Sequence, residues 1–218
     1  MKKLFWLGTI MLFLFAGCGP SSYITSSWKA ENITPKKYKK IVVLGLLSEA
    51  DRTVREKMEQ HTAGDLRDLG YNATCSCDEF DPKAFDGMSE KEAIAKLRNA
   101  GVDAVLTTVL LDKTKERYYV PGRINYSPYY VYHRRFWGYY TTMYTRVYTK
   151  GYYLVDTKYF WESNFYDLEK DQLIYSAQSQ SFDPSTIESM GHEYGQMIVN
   201  DLVKNNILTN QQNKQLAF

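Results

Sequence analysis

The side chains of this chain best suited to chemistry are its 3 cysteines and 3 histidines. Cys75 and Cys77 make a C-x-C pair in the run YNATCSC. Read as a strand, that run puts both sulfurs on one face, where a disulfide between them would be strained. Two thiolates alone make half a zinc site, and His61, His133 and His192 have no ligand spacing to one another. Three readings stay open for the pair: inert thiols, an oxidised pair, or part of a metal site. His192-Glu193 begins like a zinc-helix motif, but Gln196 stands where H-E-x-x-H requires its second histidine. The nucleophile motif G-x-S-x-G is absent. Asp78, Glu79, Asp81 and Asp86 offer carboxylates of the kind that cleave glycosides when held ~5–10 Å apart across a cleft, although a solvated acidic loop accounts for them more simply. The turn at 45–51 has Gly45 as its single glycine and carries Glu49 and Asp51. A phosphate cradle needs several glycines and free backbone amides, so nucleotide binding is disfavoured.

Cys18 stands apart from the other two. Lys2 and Lys3 precede an apolar run over residues 4–15, too short for the ~20 residues of a membrane-spanning helix. Small residues Ala16 and Gly17 follow, then the cysteine. Leu14, Phe15, Ala16, Gly17 and Cys18 resemble the lipobox of bacterial lipoproteins, with Phe15 where Leu, Val or Ile is usual. The resemblance implies a signal peptide at 1–17, cleavage before Cys18, and acyl chains on its sulfur and new amine. Two or more such chains, at about 0.8 kcal/mol per buried methylene, anchor stably. Gly19 stands where an aspartate would, by the same resemblance, favour the inner membrane. Residues 21–32 lack an early acidic cluster. The expectation is an outer-membrane anchor with the protein facing the periplasm, and no cofactor apart from the covalent lipid on Cys18.

The elements behind these residues follow from periodicity. Residues 18–30 read as a tether with a possible edge strand over 24–30, and 31–208 as a single α/β domain ending in a polar tail at 209–218. The run 41–47 is continuously apolar, as strands buried on both faces are, and 103–111, reading DAVLTTVLL, is a second buried strand. Between them lie a helix from Asp51 to about Leu69 closed by Gly70, a short strand over 71–77, and a helix opened by Ser89 and Glu92 and ended by Gly101. Strand, helix, strand, helix, strand implies parallel pairing with right-handed crossovers. Residues 139–166 alternate with period two, Met143, Val147, Tyr153, Val155, Tyr159, Trp161 and Phe165 on the inward parity, which argues antiparallel hairpins. Asp183-Pro184, with Ser185 and Glu188, opens a last amphipathic helix that lies on the sheet. The fold class is therefore α/β (α+β): a mixed sheet with a βαβαβ half, Tyr-rich antiparallel hairpins and a C-terminal helix. The strand and helix order, with Gly70-Tyr71 and Gly101-Val102-Asp103 before strands, is similar to the small α/β domain of curli-secretion and penicillin-binding-protein-activator lipoproteins. The run YDLEKDQLIYSAQSQSFDPS resembles the end of several uncharacterised lipoprotein families. These likenesses imply a fold and a location, and no active site.

Residues 113–150 differ in composition. Lys113, Lys115, Arg117, Arg123, Arg134, Arg135, Arg146 and Lys150 face Glu116 alone. Of the 19 tyrosines, 13 fall between Tyr118 and Tyr159. Tyr144, Arg146, Tyr148 and Lys150 share the outward parity, and aromatics beside arginines are typical of interface anchors. Tyr118, Tyr119, Arg134, Arg135, Tyr144, Arg146 and Tyr148 are the candidate binding surface, for another envelope protein or for peptidoglycan. A membrane-inserted hairpin fits less well, because Thr141, Thr145 and Thr149 interrupt the better face. Without Lys2 and Lys3, 25 basic residues meet 25 acidic ones, so net charge gives no case for nucleic acid. The expected function is a non-catalytic binding or assembly component of the envelope, with glycan binding and envelope hydrolysis as alternatives.

Overall fold

The computed structural model describes residues 22–81, 84–85, 87–120 and 152–211, with Glu90, Tyr118, Tyr119, Val120, Tyr152 and Tyr153 described by backbone alone. In chain order the elements are β1 Ser22–Lys29, β2 Ile41–Leu46, α1 Arg52–Asp68, β3 Ala73–Cys75, α2 Ser76–Glu79, α3 Glu90–Asn99, β4 Ala104–Val120, β5 Tyr152–Asp167, β6 Gln172–Phe182 and α4 Ile187–Lys204. A 3-10 turn, Glu49–Asp51, leads into α1. The strands form one mixed sheet in the order β1-β6-β5-β4-β2-β3. β2 runs parallel to β3 and β4, with Ile41 opposite both Ala73 and Ala104. β1 runs antiparallel to β6 and covers that edge. The fold is the expected α/β class, with the βαβαβ half at 41–111.

The chain divides into two compact units, residues 1–112 with 159–218, and residues 113–158. Within the second, the described parts of β4 and β5 are linked by Lys158 Nζ to Glu116 Oε2 at 2.6 Å.

Three helices stop in the same way, and the stops set the lengths of the elements. After α1, Gly70 takes φ 88° and the Tyr71 N–H returns to Leu66 O. After α3, Gly101 takes φ 79° and the Val102 N–H returns to Leu97 O. After α4, Asn206 takes φ 59° and the Ile207 N–H returns to Leu202 O. Each is a left-handed cap whose following residue packs on the helix it has just left. Leu66, Tyr71, Leu97, Val102, Leu202 and Ile207 are all buried.

The sheet is covered on both faces. Ile41, Val43 and Leu106 belong to the larger core, with Met58 and Leu66 of α1 and Tyr194, Ile198 and Leu202 of α4. Val42 and Val105, of opposite parity, meet Leu97, Val102 and Leu168 in a smaller core with α3. A parallel step outward to β3 and then back past β2 to β4 puts its two helices on opposite faces if both crossovers are right-handed. Trp161, Tyr175, Tyr194 and Phe165 are fully buried in the larger core, where a side chain of that size contributes roughly 1.5–3 kcal/mol.

Helices α1 and α4 approach closely because α4 presents glycine at its crossing. A Cβ on Gly191 would meet His61 Cδ2 at 2.9 Å and Lys57 O at 3.2 Å. One on Gly195 would collide with Asp65 Oδ2 and meet Thr62 N at 3.1 Å. At the margin of this contact, Glu188 of α4 pairs with Lys57 Nζ at 3.0 Å and His61 Nε2 at 2.9 Å.

Several expected boundaries move. Residues 71–77 are not one strand: β3 ends at Cys75, where a carboxylate of α1 draws the chain into α2 (described below). α4 does not start at Asp183-Pro184. The residue before a proline is disfavoured in a helical conformation, and Asp183 instead takes φ 36°. Thr186 and Ser189 then cap the helix reciprocally. On β5, Val155 is 50% exposed, so the inward parity holds from Tyr159 onward. The start of the tail is bonded, with the Gln211 N–H on Leu69 O and the Thr209 N–H on the Tyr71 hydroxyl.

Gly195→Ala is expected to lower unfolding stability by about 1–3 kcal/mol through overpacking against Thr62 and Asp65. Gly64→Ala, also helical but 3.8 Å from its nearest neighbour Arg67 Nη2, should be neutral or stabilising by up to about 1 kcal/mol. Urea titrations of the two variants against the parent check the contrast.

Candidate functional site

The carboxyl ends of the parallel strands β2 and β3 meet the side of α1, and one buried acid joins all three. Glu59 of α1 is fully buried. Its Oε1 accepts the Gly45 N–H at 2.7 Å, at the end of β2. Ser76 Oγ donates to it at 3.0 Å, and the Cys77 N–H donates to Oε2 at 3.1 Å, both at the β3–α2 junction. Gly45 is required for this approach: a Cβ there would meet Arg55 Cγ at 2.6 Å and Glu59 Oε1 at 2.9 Å. Burial pushes the Glu59 carboxyl above its usual value, while the Gly45, Ser76 and Cys77 donors and the Arg55 charge pull it back only in part.

Cys75 and Cys77 are joined as a disulfide, with Cα atoms 5.1 Å apart. Cys75 is buried, and its Sγ lies 2.8 Å from Glu59 Oε2. Of the three readings open for the pair, the structure has the oxidised one. It relieves the single-face problem of a strand by placing Cys77 in α2. The ligand atoms of Glu59, Cys75 and Cys77 lie within 4.8 Å of one another. With the sulfurs bonded to each other, neither is the thiolate that a metal would take.

Above this floor opens a cleft of about 620 Å³. Arg52, Arg55 and Glu56 of α1 line it together with Cys77, Phe80, Phe85 and Leu97. Arg52 Nε pairs with Glu56 Oε1 at 2.8 Å, and Arg55 Nη1 stands 3.8 Å from Glu49 Oε1. Phe80 and Phe85 pack with ring centroids 5.3 Å apart, and Lys96 Nζ lies 5.6 Å from the Phe85 centroid. Crevices at the carboxyl ends of parallel strands are the usual ligand position of open α/β sheets.

The opposite ends of the strands are tied by other acids. Asp103 accepts the Lys39 and Lys40 N–H groups at 2.8 and 3.0 Å. Asp167 pairs with Lys36 Nζ at 2.8 Å and accepts the Glu169 and Lys170 N–H groups. Burial raises the Asp167 carboxyl, but the Lys36 bond and those two amides outweigh it and hold it below the usual range.

Of the residues expected to carry function, Cys18, Arg134, Arg135, Tyr144, Arg146 and Tyr148 lie outside the described residues, and Tyr118 and Tyr119 are placed on β4 by backbone only. His192 is exposed on α4, its ring 5.8 Å from that of His61. Asp78 and Glu79 belong to α2, and Glu79 pairs with Lys40 at 2.6 Å. Glu59 and Arg55 were not among the residues the sequence singled out. The signal was available: they are spaced i, i+4 alongside Val54 and Met58, and so fall on the buried side.

The chain matches no known protein-family model and no curated protein sequence. Among solved structures it is similar to the PelC dodecamer from Paraburkholderia phytofirmans, at 12% identity over 85% of this chain and 98% of that one, with a TM-score of 0.45. It is similar to lipoprotein GNA1162 from Neisseria meningitidis at 14% identity, 76% and 98% coverage and a TM-score of 0.40. A putative neuraminyllactose-binding hemagglutinin homolog from Helicobacter pylori matches at 11% identity, 82% and 94% coverage and a TM-score of 0.35. Likenesses this low transfer no residue, ligand or partner.

Because the folded chain holds the Glu59 proton more tightly than the unfolded chain, this group's contribution to stability is complete below the ordinary glutamate value of about 4.3. It is lost as pH rises through the raised folded value, by about 1.4 kcal/mol for each tenfold tightening of the proton. The stability of the parent relative to Glu59→Gln should therefore fall as pH rises from about 4.3 through the raised folded value. Urea midpoints across that range measure it, and parallel curves for the two proteins would sink the assignment.

Proposed function

We propose that the protein is a bacterial lipoprotein held at the outer membrane by Cys18, facing the periplasm, where it binds another envelope component without catalysing a reaction. The observation that carries this reading joins sequence to fold. Only Gly19, Pro20 and Ser21 separate the lipobox cysteine from Ser22, the first residue of β1. Ser22 is buried and bonded to Ser181 Oγ at 2.8 Å. An extended chain spans at most ~3.6 Å per residue, so β1 starts no more than roughly 14 Å from the lipidated residue. The sheet edge is thereby kept at the membrane surface, within reach of partners there.

The binding surface in this reading is the Tyr- and Arg-rich segment, with Tyr118, Tyr119, Arg134, Arg135, Tyr144, Arg146 and Tyr148 as anchors. Tyrosine and arginine combine large contact area with hydrogen bonding, which is why they dominate interface energies. The partner is a second envelope protein. Peptidoglycan, whose sugar rings and peptide carboxylates suit the same side chains, is the competing ligand. The lipid on Cys18 is the only covalent group required.

In detergent phase separation, the parent should partition with detergent and Cys18→Ala with water; equal partition of the two would end the anchoring proposal. Tyr144→Ala, Arg146→Ala and Tyr148→Ala together should abolish an in-cell crosslinked partner while leaving the circular-dichroism spectrum intact. An unchanged crosslink rules out the surface, and loss of sacculus binding instead would favour peptidoglycan.

A further inference from the structure

The Cys75–Cys77 disulfide is poorly placed to be a staple. It closes a loop of sequence separation 2, and short loops remove little chain entropy from the unfolded state. Its two sulfurs differ in setting. Cys75 is 1% exposed at the end of β3. Cys77 is half-buried and lines the cleft, beside Phe80 and Phe85. The Cys77 N–H points at Cys75 Sγ at 3.1 Å, and the Glu59 carboxyl lies 2.8 Å from the same sulfur. One sulfur is thus open to attack from the cleft, and the other sits where an amide and an acid can receive it as a leaving group.

We propose that Cys75 and Cys77 are a redox-active pair that exchanges with a dithiol, Cys77 being the sulfur attacked and Cys75 the sulfur released beside Glu59. A thiolate of the dithiol enters the cleft and forms a bond to Cys77 Sγ. The Cys75–Cys77 bond breaks, and its electron pair leaves on Cys75 Sγ, faced by the Cys77 amide. Glu59, protonated, gives its proton to that sulfur. The second thiolate of the dithiol then attacks its own sulfur in the mixed disulfide and releases Cys77 as a thiolate, which takes a proton from water. Water returns a proton to Glu59. The dithiol has lost two electrons and two protons, and the cysteine pair has gained them. Attack rates in such exchange depend on access and on the stability of the leaving thiolate, the two properties divided here between Cys77 and Cys75.

Glu59 suits the proton transfer because it is an acid held in its protonated form to higher pH than an exposed glutamate. The groups facing it are the Gly45 N–H from β2, the Ser76 hydroxyl, Cys77 N–H and Cys75 sulfur from the β3–α2 junction, and Arg55 on its own helix. Among the described residues, Arg55 is the charged side chain that bears on it. This activity does not depend on the anchor or on the tyrosine-rich surface, so it stands or falls separately from the function proposed above.

Full-length mature protein, oxidised, is mixed with dithiothreitol, and reduction is followed by alkylation with a mass tag. Reduction should be at least tenfold faster in the folded protein than in the same protein in urea; a slower folded reaction overturns the proposal. The rate per dithiothreitol thiolate should fall as pH rises through the Glu59 titration, and should be flat in Glu59→Gln. A rate independent of pH in the parent removes Glu59 from the step. Cys75→Ser, with its thiol at Cys77, should form a mixed disulfide with oxidised glutathione on the folded protein. Cys77→Ser, with its thiol at Cys75, should do so at least a hundredfold more slowly until urea is added. Equal capture by the two overturns the assignment of roles. Should either variant fail to give a folded spectrum, the folded-against-urea comparison on the parent decides alone.

Discussion

Helix α1 is gripped from both sides by positions that have no side chain. Gly45 of β2 lies under Arg55 and Glu59, and Gly191 and Gly195 of α4 lie over Lys57, His61, Thr62 and Asp65. A Cβ at any of the three would sit within 3.0 Å of an α1 atom, closer than packed atoms tolerate. The α1–α4 distance is therefore set by backbone contact at Lys57, His61 and Thr62, and the β2–α1 distance by the Arg55 and Glu59 side chains lying against the Gly45 backbone. The large aromatics of the core, Trp161, Tyr175 and Tyr194, fill what remains around that contact. The same closeness brings a carboxylate on α1 within reach of main-chain donors on two strands. It also has a cost, since Thr62 Oγ1 and Asp65 Oδ2 are buried with no hydrogen-bond partner among the described residues, a condition that disfavours the fold.

The polar groups at the two ends of the parallel strands are arranged differently. At the amino ends, Asp103 and Asp167 tie backbone amides and Lys36 into closed clamps on the connections between strands. At the carboxyl ends, Glu59 makes a similar clamp but also touches a sulfur, and a cleft opens over it. The sheet thus has an end whose acids hold the chain and an end whose acid also faces reactive atoms. That asymmetry follows from topology: α1 and α3 leave from the carboxyl ends, and their divergence to opposite faces opens the space between Arg55 and Phe80.

Helix ends and buried strands were legible in the sequence because they rest on local chemistry. Gly70, Gly101, Ser89 and Glu92 mark boundaries whose hydrogen bonds stay within a few residues, and these positions hold. The continuous apolar run at 41–47 and the largely apolar run at 103–111 mark strands covered on both faces. Boundaries set by distant partners were not legible. β3 stops at Cys75 because Glu59, far back in the chain, draws Ser76 and Cys77 inward. Asp183 and Pro184 carry good capping chemistry, yet Thr186 and Ser189 take the role, because the backbone before the proline turns away. Glu59 itself was overlooked for the same reason. A charged residue on a helix is ordinarily solvated, and only the proximity of Gly45 and Ser76, which no local pattern encodes, makes it a buried acid.

β1 holds a position whose importance exceeds its length. It is the first strand of the described residues, and it closes one side of the sheet by pairing with β6 from Ser22 opposite Ser181 to Lys29 opposite Tyr175. Removing it for the sake of a soluble fragment would leave the 11-residue β6 with a bare row of backbone donors and acceptors. Such an edge accepts a strand from any neighbour, including an identical chain. In this protein the 8 residues of β1 are what keeps β6 from strand exchange, so a trimmed chain has to begin before Ser22.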